Sequence, residues 1–181
     1  MKKWKIIETT PISINPGPAL EKLYQNRDHI KPYIIRRSSN RIEILVQEQK
    51  HRRVLEIIEK TGLNVIARDP IEPRECIGIE TIQGLIGSER FYEAHICSEA
   101  LEENDKNTGE CLALYTALLV KIAESSQIGV MDLSQKLLSR ENCRKILDYN
   151  CIKHLIEEHG YNPKKISGTE ALNCILNQAH T

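Results

Sequence analysis

A helix that is apolar on every side has to be wrapped by the rest of its domain. The stretch "TGECLALYTALLVKIAES" (108–125) predicts such a helix, because its wheel has almost no polar side between Cys111 and Ala123. Thr108 is placed to cap it. Leu118 and Leu119 fall mid-helix and are expected in the core. Residues 132–150, 151–160 and 167–178 read as further helices. Asp132 with Gln135, and Ser167 with Glu170, stand at capping-box spacing, and Gly160 is a helix stop. The C-terminal third is therefore expected to be helical.

The N-terminal part has a different rhythm. "WKIIET" (4–9) reads as a strand. "INPGPALEKLYQN" (14–26) reads as a helix start, with Asn15 as cap, Pro16 in the first turn, and Leu20, Leu23 and Tyr24 on one apolar face. "PYIIRR" (32–37) and "RIEILVQ" (41–47) are strands joined by a turn at "SSN". "EQKHRRVLEIIEKTG" (48–62) is a helix with Val54, Leu55, Ile57 and Ile58 inward and Gly62 as its stop. "LNVIARD" (63–69) is a further strand. The order β-α-β-β-α-β predicts a ferredoxin-like sandwich over 1–69, two helices on one face of a four-stranded sheet. The prolines of "PIEP" (70–73) mark a boundary, with a second domain over 70–181.

That second domain is expected to open with a β-hairpin. "ECIGIETI" (75–82) and "RFYEAHICS" (90–98) are its strands, and "QGLIGSE" (83–89) its connection, with positive φ at glycine. On the second strand, Tyr92, Ala94 and Ile96 line the inner face. The fold class is thus α+β: a ferredoxin-like module, a hairpin and a helical C-terminal part.

The hairpin reading puts Glu93, His95 and Cys97 in one outward row, roughly 6.5–7 Å apart. Such a row can hold a proton shuttle, or a nucleophile with its base on a neighbouring strand. The alternative is a plain polar outer face. Cys111 lies in the first turn of the apolar helix, where the helix dipole favours a thiolate. Its apolar neighbours Leu112, Leu114 and Tyr115 suit a buried, inert thiol instead. Cys143, Cys151, His154 and His159 cluster in the helical third, but they lack the compact ligand pairs of a structural zinc site. No metal site is expected, and no cofactor. The "NPGPA" turn has too few glycines, and no following lysine, for a phosphate loop.

The net charge is zero, yet it is segregated. Residues 1–53 carry twelve Lys/Arg against five Asp/Glu, and residues 70–110 carry three against ten. Such segregation marks a dipolar surface or a charged partner. Arg36, Arg37, Arg41, Lys50, Arg52 and Arg53 form a basic arm able to follow a phosphate backbone. A sheet that reads RNA stacks bases on aromatics, and here the strands carry isoleucine. The six cysteines include no C-x-x-C pair. The start "MKKWKIIETT" has no apolar core of secretory length, and no run reaches membrane-spanning length. A cytoplasmic protein with reduced thiols is expected, away from the membrane.

"ECIGIETIQGLIGSERFYEAHICSEAL", followed by "GECLALYTALL", resembles PhnG, a subunit of the carbon–phosphorus lyase complex. The likeness covers residues 75–119. It lies in the glycine-containing turn, the "ERFY" start and a later helix with alanine and leucine at matching places. The resemblance implies an accessory subunit inside a multi-protein complex. With no strong catalytic motif, the leading expectation is an accessory or partner-binding subunit, joined to a protein partner or to copies of itself. One alternative is a small enzyme using Glu93, His95, Cys97 and Cys111. Another is binding of nucleic acid, or an acidic partner, through the basic arm.

Overall fold

The computed structural model describes residues 3–9, 17–31, 33–39, 41–160 and 165–176. Asn15 and Pro16, expected to open the first helix, lie outside them, as does Asn40 of the turn. The chain divides into two compact units, Met1–Pro70 and Ile71–Thr181. The protein is of mixed α and β structure.

Within the first unit run β1 (Trp4–Thr9), α1 (Gly17–Gln25), the short α2 (Arg27–Ile30), β2 (Tyr33–Arg37), β3 (Ile42–Gln47), α3 (His51–Glu59) and β4 (Val65–Arg68). The strands form an antiparallel sheet in the order β2-β3-β1-β4. Strand alternation sorts the side chains into two faces. Ile7, Ile42, Ile44 and Val46 pack with Leu20, Leu23 and Ile30 from the α1–α2 region and with Val54 and Ile58 of α3. The opposite face carries Ile6, Glu8, Glu43, Leu45, Gln47 and Arg36. Every residue of β3 is buried, as befits a strand inside the sheet rather than at its edge. Gly62 ends the region of α3 with φ +84°, a conformation that glycine adopts without strain.

The expected hairpin is absent from the second unit, and both of its strands are helices. α4 (Gly78–Gly87) and α5 (Phe91–Glu102) are followed by α6 (Lys106–Ala123), α7 (Gln127–Leu138), α8 (Tyr149–Leu155) and α9 (Gly168–Asn173). "ECIGIETI" was expected to be a strand. The apolar positions obey the helical period instead: Ile82, Leu85 and Ile86 are buried and Ile79 partly so. α5 packs against both α4 and α6. Its inward residues therefore spread around the wheel and include the polar Glu93 and Ser98, which hid the helical stripe. The positive φ of the connection falls on Glu89 (61°), while Gly84 and Gly87 are helical.

α6 is the centre of this unit, with Leu112, Tyr115, Leu118 and Leu119 fully buried. Its cap is Asp105, whose carboxylate accepts the Thr108 N–H, so Thr108 sits inside the first turn. α5 and α6 meet so closely that a Cβ on Gly109 would lie 2.3 Å from the Glu102 nitrogen. α7 starts earlier than the Asp132–Gln135 spacing suggested. Ser126 caps it, and Asp132 lies mid-helix in an ion pair with Lys136. The capping box of Ser167 and Glu170 opens α9 as expected. No described helix is long and apolar enough to cross a membrane.

All six cysteines are paired, in chain order: Cys76–Cys97, Cys111–Cys143 and Cys151–Cys174. This overturns the expectation of reduced thiols. The even cysteine count was the signal of this pairing in the sequence.

Candidate functional site

On a helix, successive side chains turn by about 100°. The row of Glu93, His95 and Cys97 is therefore broken. Glu93 and Cys97 share one face of α5 at i and i+4, and His95 looks elsewhere.

Glu93 is fully buried. Arg90 grips it with a two-pronged contact, Nε to Oε1 at 2.9 Å and a terminal guanidinium nitrogen to Oε2 at 3.0 Å. The Ile71 N–H donates to Oε2 at 2.8 Å. One turn on, Cys97 is bonded to Cys76. Together the two residues pin the segment from Ile71 to Cys76 along α5. Cys97 has no free thiol, and both Glu93 oxygens accept hydrogen bonds.

His95 faces α6. Its Nδ1 lies 3.1 Å from the Ala113 carbonyl, which can only accept, so Nδ1 carries the proton in that contact. Thr116 Oγ1 stands 3.3 Å away. The Nε2 edge looks toward Glu99 at 3.4 Å. The nearby hydroxyls are engaged on their own helices: Ser98 donates to the Ala94 carbonyl at 2.8 Å and Thr116 to that of Leu112 at 2.7 Å. His95 and Glu99 thus form a partly exposed pair without a nucleophile beside it.

Cys111 is fully buried and bonded to Cys143, also fully buried. Of the two readings of Cys111, the thiolate is excluded by this bond, while burial agrees with the inert one, as a disulfide rather than as a free thiol. Cys151 is bonded to Cys174, and His159 meets Glu170 at 3.1 Å. Burial acts to raise the Glu170 carboxyl. The Ser167 N–H and then the His159 hydrogen bond outweigh it and hold the group below the usual glutamate range. Burial also pushes the Tyr115 hydroxyl far up, so it stays protonated and donates to the Ala171 carbonyl at 2.6 Å. Among the described residues, no cluster of His, Cys, Asp and Glu could hold a metal ion.

The basic arm separates into four environments. Arg36 and Arg41 belong to a charge network on the sheet face opposite the helices. Arg36, 5 % exposed, reaches Glu43 at 3.5 Å, and Arg41 donates to Glu8 at 3.1 Å. Arg68 donates to the same Glu8 oxygen at 3.0 Å and stands 3.9 Å from Glu43. Glu8 and Glu43 are directly opposite in the register, so the arginines separate two like charges. Arg37 follows Arg36 on β2 and takes the other face by alternation. Lys50 donates to the Lys31 carbonyl. Arg52 and Arg53 alone of the six are exposed, side by side on α3.

Sequence reasoning missed Glu8, Glu43 and Arg68. The signal was there, in Glu8 of "KIIET", Glu43 of "RIEILV" and Arg68 of "IAR", charged residues that break otherwise apolar strands and fall on one face. No family model matches the chain, and neither a curated protein nor a solved structure matches it.

Proposed function

We propose that this protein is a non-catalytic, partner-binding subunit. One observation carries the reading: the groups best suited to covalent or acid–base work are engaged in holding the fold. Cys97 and Cys111 are in disulfides, and the Glu93 carboxylate is closed on both oxygens. What remains outward suits contact. Arg52 and Arg53 on α3 fit an acidic partner, which the basic count of residues 1–53 also favours. The likeness of residues 75–119 to PhnG points the same way, toward a place in a multi-protein complex. It rests on the residues themselves, since helices stand where strands were expected.

The first unit is best read as ferredoxin-like. The order βαββαβ supports this, as do β1 and β3 lying between the edge strands β2 and β4. As to compartment, three disulfides favour a setting in which they form and persist. That is an oxidising space, or the disulfide-rich interior known from hyperthermophiles, over a reducing cytoplasm.

The test is co-purification from native cells at low salt, followed by the double variant Arg52→Ala/Arg53→Ala. A partner should be retained by the natural chain. It should be weakened by the variant, and the difference should fade as salt exceeds the screening range of about 0.15 M. A complex indifferent to both arginines at low salt would remove α3 from the interface. A lone monomer that turns over a substrate through His95 and Glu99 would overturn the reading altogether.

A further inference from the structure

Residues 165–176 form a strap across the helical unit, and its fastenings are of two kinds. Ile166, Ala171 and Cys174 are fully buried in the core, with Ile175 nearly so. The backbone of Gly168 lies against the end of α4, where an added Cβ would be 2.3 Å from the Gly87 carbonyl oxygen. The Gly168 N–H donates to Glu89 at 3.3 Å. The Tyr115 hydroxyl reaches the Ala171 carbonyl, the Leu176 N–H reaches that of Ile146 at 2.8 Å, and the Asp148 N–H reaches that of Cys174 at 2.9 Å. All of these can break and re-form in a fluctuation. The Cys151–Cys174 bond cannot.

The three disulfides are not equally accessible. Cys111 and Cys143 are both fully buried, whereas Cys151 is partly exposed. Cys76 is partly exposed as well, but its bond holds the segment before α4, which contributes only partly buried side chains to the core. Cys151–Cys174 is the accessible bond that restrains fully buried core residues.

We propose that Cys151–Cys174 is a redox latch on the strap: while it is closed the strap is fixed to α8, and when a dithiol opens it residues 165–176 undock as a unit. The chemistry is thiol–disulfide exchange. A thiolate of the dithiol attacks the Cys151 sulfur, the S–S bond breaks, and Cys174 leaves as thiolate and takes up a proton. The second thiol of the reductant then closes on the mixed disulfide, releasing Cys151 as a thiol and leaving the reductant as a cyclic disulfide. Two electrons pass from the dithiol to the cystine. Undocking uncovers the Ile86–Gly87 backbone and the Tyr115 hydroxyl.

Three amides report docking rather than strap structure: Gly168, Leu176 and Asp148, each bonded across the strap's boundary. In the double variant Cys151→Ser/Cys174→Ser, with the other two disulfides intact, their hydrogen exchange should accelerate together by at least about tenfold, while the Leu118 amide of α6 stays slow. Unchanged exchange at the three amides would overturn the proposal. So would acceleration of Leu118 to the same extent, which is global loosening. Should the variant not fold, graded dithiothreitol on the natural chain decides, with alkylation and peptide mapping. Cys151 and Cys174 must be labelled while Cys111 and Cys143 remain closed; the reverse order, or simultaneous labelling, overturns the latch.

Discussion

In Met1–Pro70 there is no cysteine, and charged side chains from all four strands neutralise one another across the face of a sheet. In Ile71–Thr181 three covalent bonds, the buried Arg90–Glu93 pair and a few polar contacts such as that of His159 with Glu170 fasten helices packed around an apolar core. The contrast follows from the elements. Strand register brings Arg36, Glu43, Glu8 and Arg68 into neighbouring positions without any further device. Short helices such as α8, seven residues, and α9, six residues, are too short to be stable alone and need something to hold them. Covalent closure of the unfolded chain is one answer.

The comparison is broken most severely by removing the covalent half. Complete reduction should remove roughly 2–4 kcal/mol for each disulfide, comparable in sum to the whole stability of a typical domain. The helical unit should then melt while the sheet unit keeps its fold. Amide exchange read residue by residue checks this. Equal loss of protection at Ile44 and at Leu118 would show that the two units do not differ in this way.

A smaller effect isolates the buried pair. Arg90→Ala leaves the Glu93 carboxylate buried without its guanidinium, at a cost of about 3–5 kcal/mol. Adding Glu93→Leu should recover much of that loss, because an apolar side chain needs no partner. Chemical denaturation of the single and double variants measures both. Failure of the second change to help would mean that the bond from Ile71 to Glu93, rather than the charge pair, is what the site contributes.

The smallest effect concerns acid. Glu170 is held below the ordinary glutamate range in the folded state, so it contributes stability above that range and loses it as pH falls through the depressed value. Glu170→Gln should lower stability slightly near neutrality, and the gap from the natural chain should close in acid, as pH falls below the ordinary glutamate range. Melting temperatures across that range test the sign. A gap that widens in acid would contradict it.

Much of the first unit was legible because its signals are local. Alternation in "RIEILVQ" and the amphipathic spacing of Val54, Leu55, Ile57 and Ile58 each settle a segment without reference to the rest. The second unit depends on relations between distant residues. Glu93 looks like a surface residue until Arg90 and Ile71 are seen around it. Cys97 looks like a candidate nucleophile until Cys76 is found beside it. The helical stripe of α5 is masked for the same reason, since the helix is covered on more than one side and two of its buried positions are polar. The sequence set Glu93, His95 and Cys97 in one row; the partners that separate them lie far along the chain or on other helices. The partners decided the chemistry.

The order of the disulfides has a further consequence. Six cysteines admit fifteen pairings, and the one found joins each cysteine to the next, so no closed loop overlaps another. Because a chain emerges N-terminus first, Cys76 and Cys97 are both exposed before Cys111 has emerged, and Cys111 and Cys143 before Cys151. Each bond joins the first two unpaired thiols to emerge. The order of emergence and the connectivity found therefore coincide.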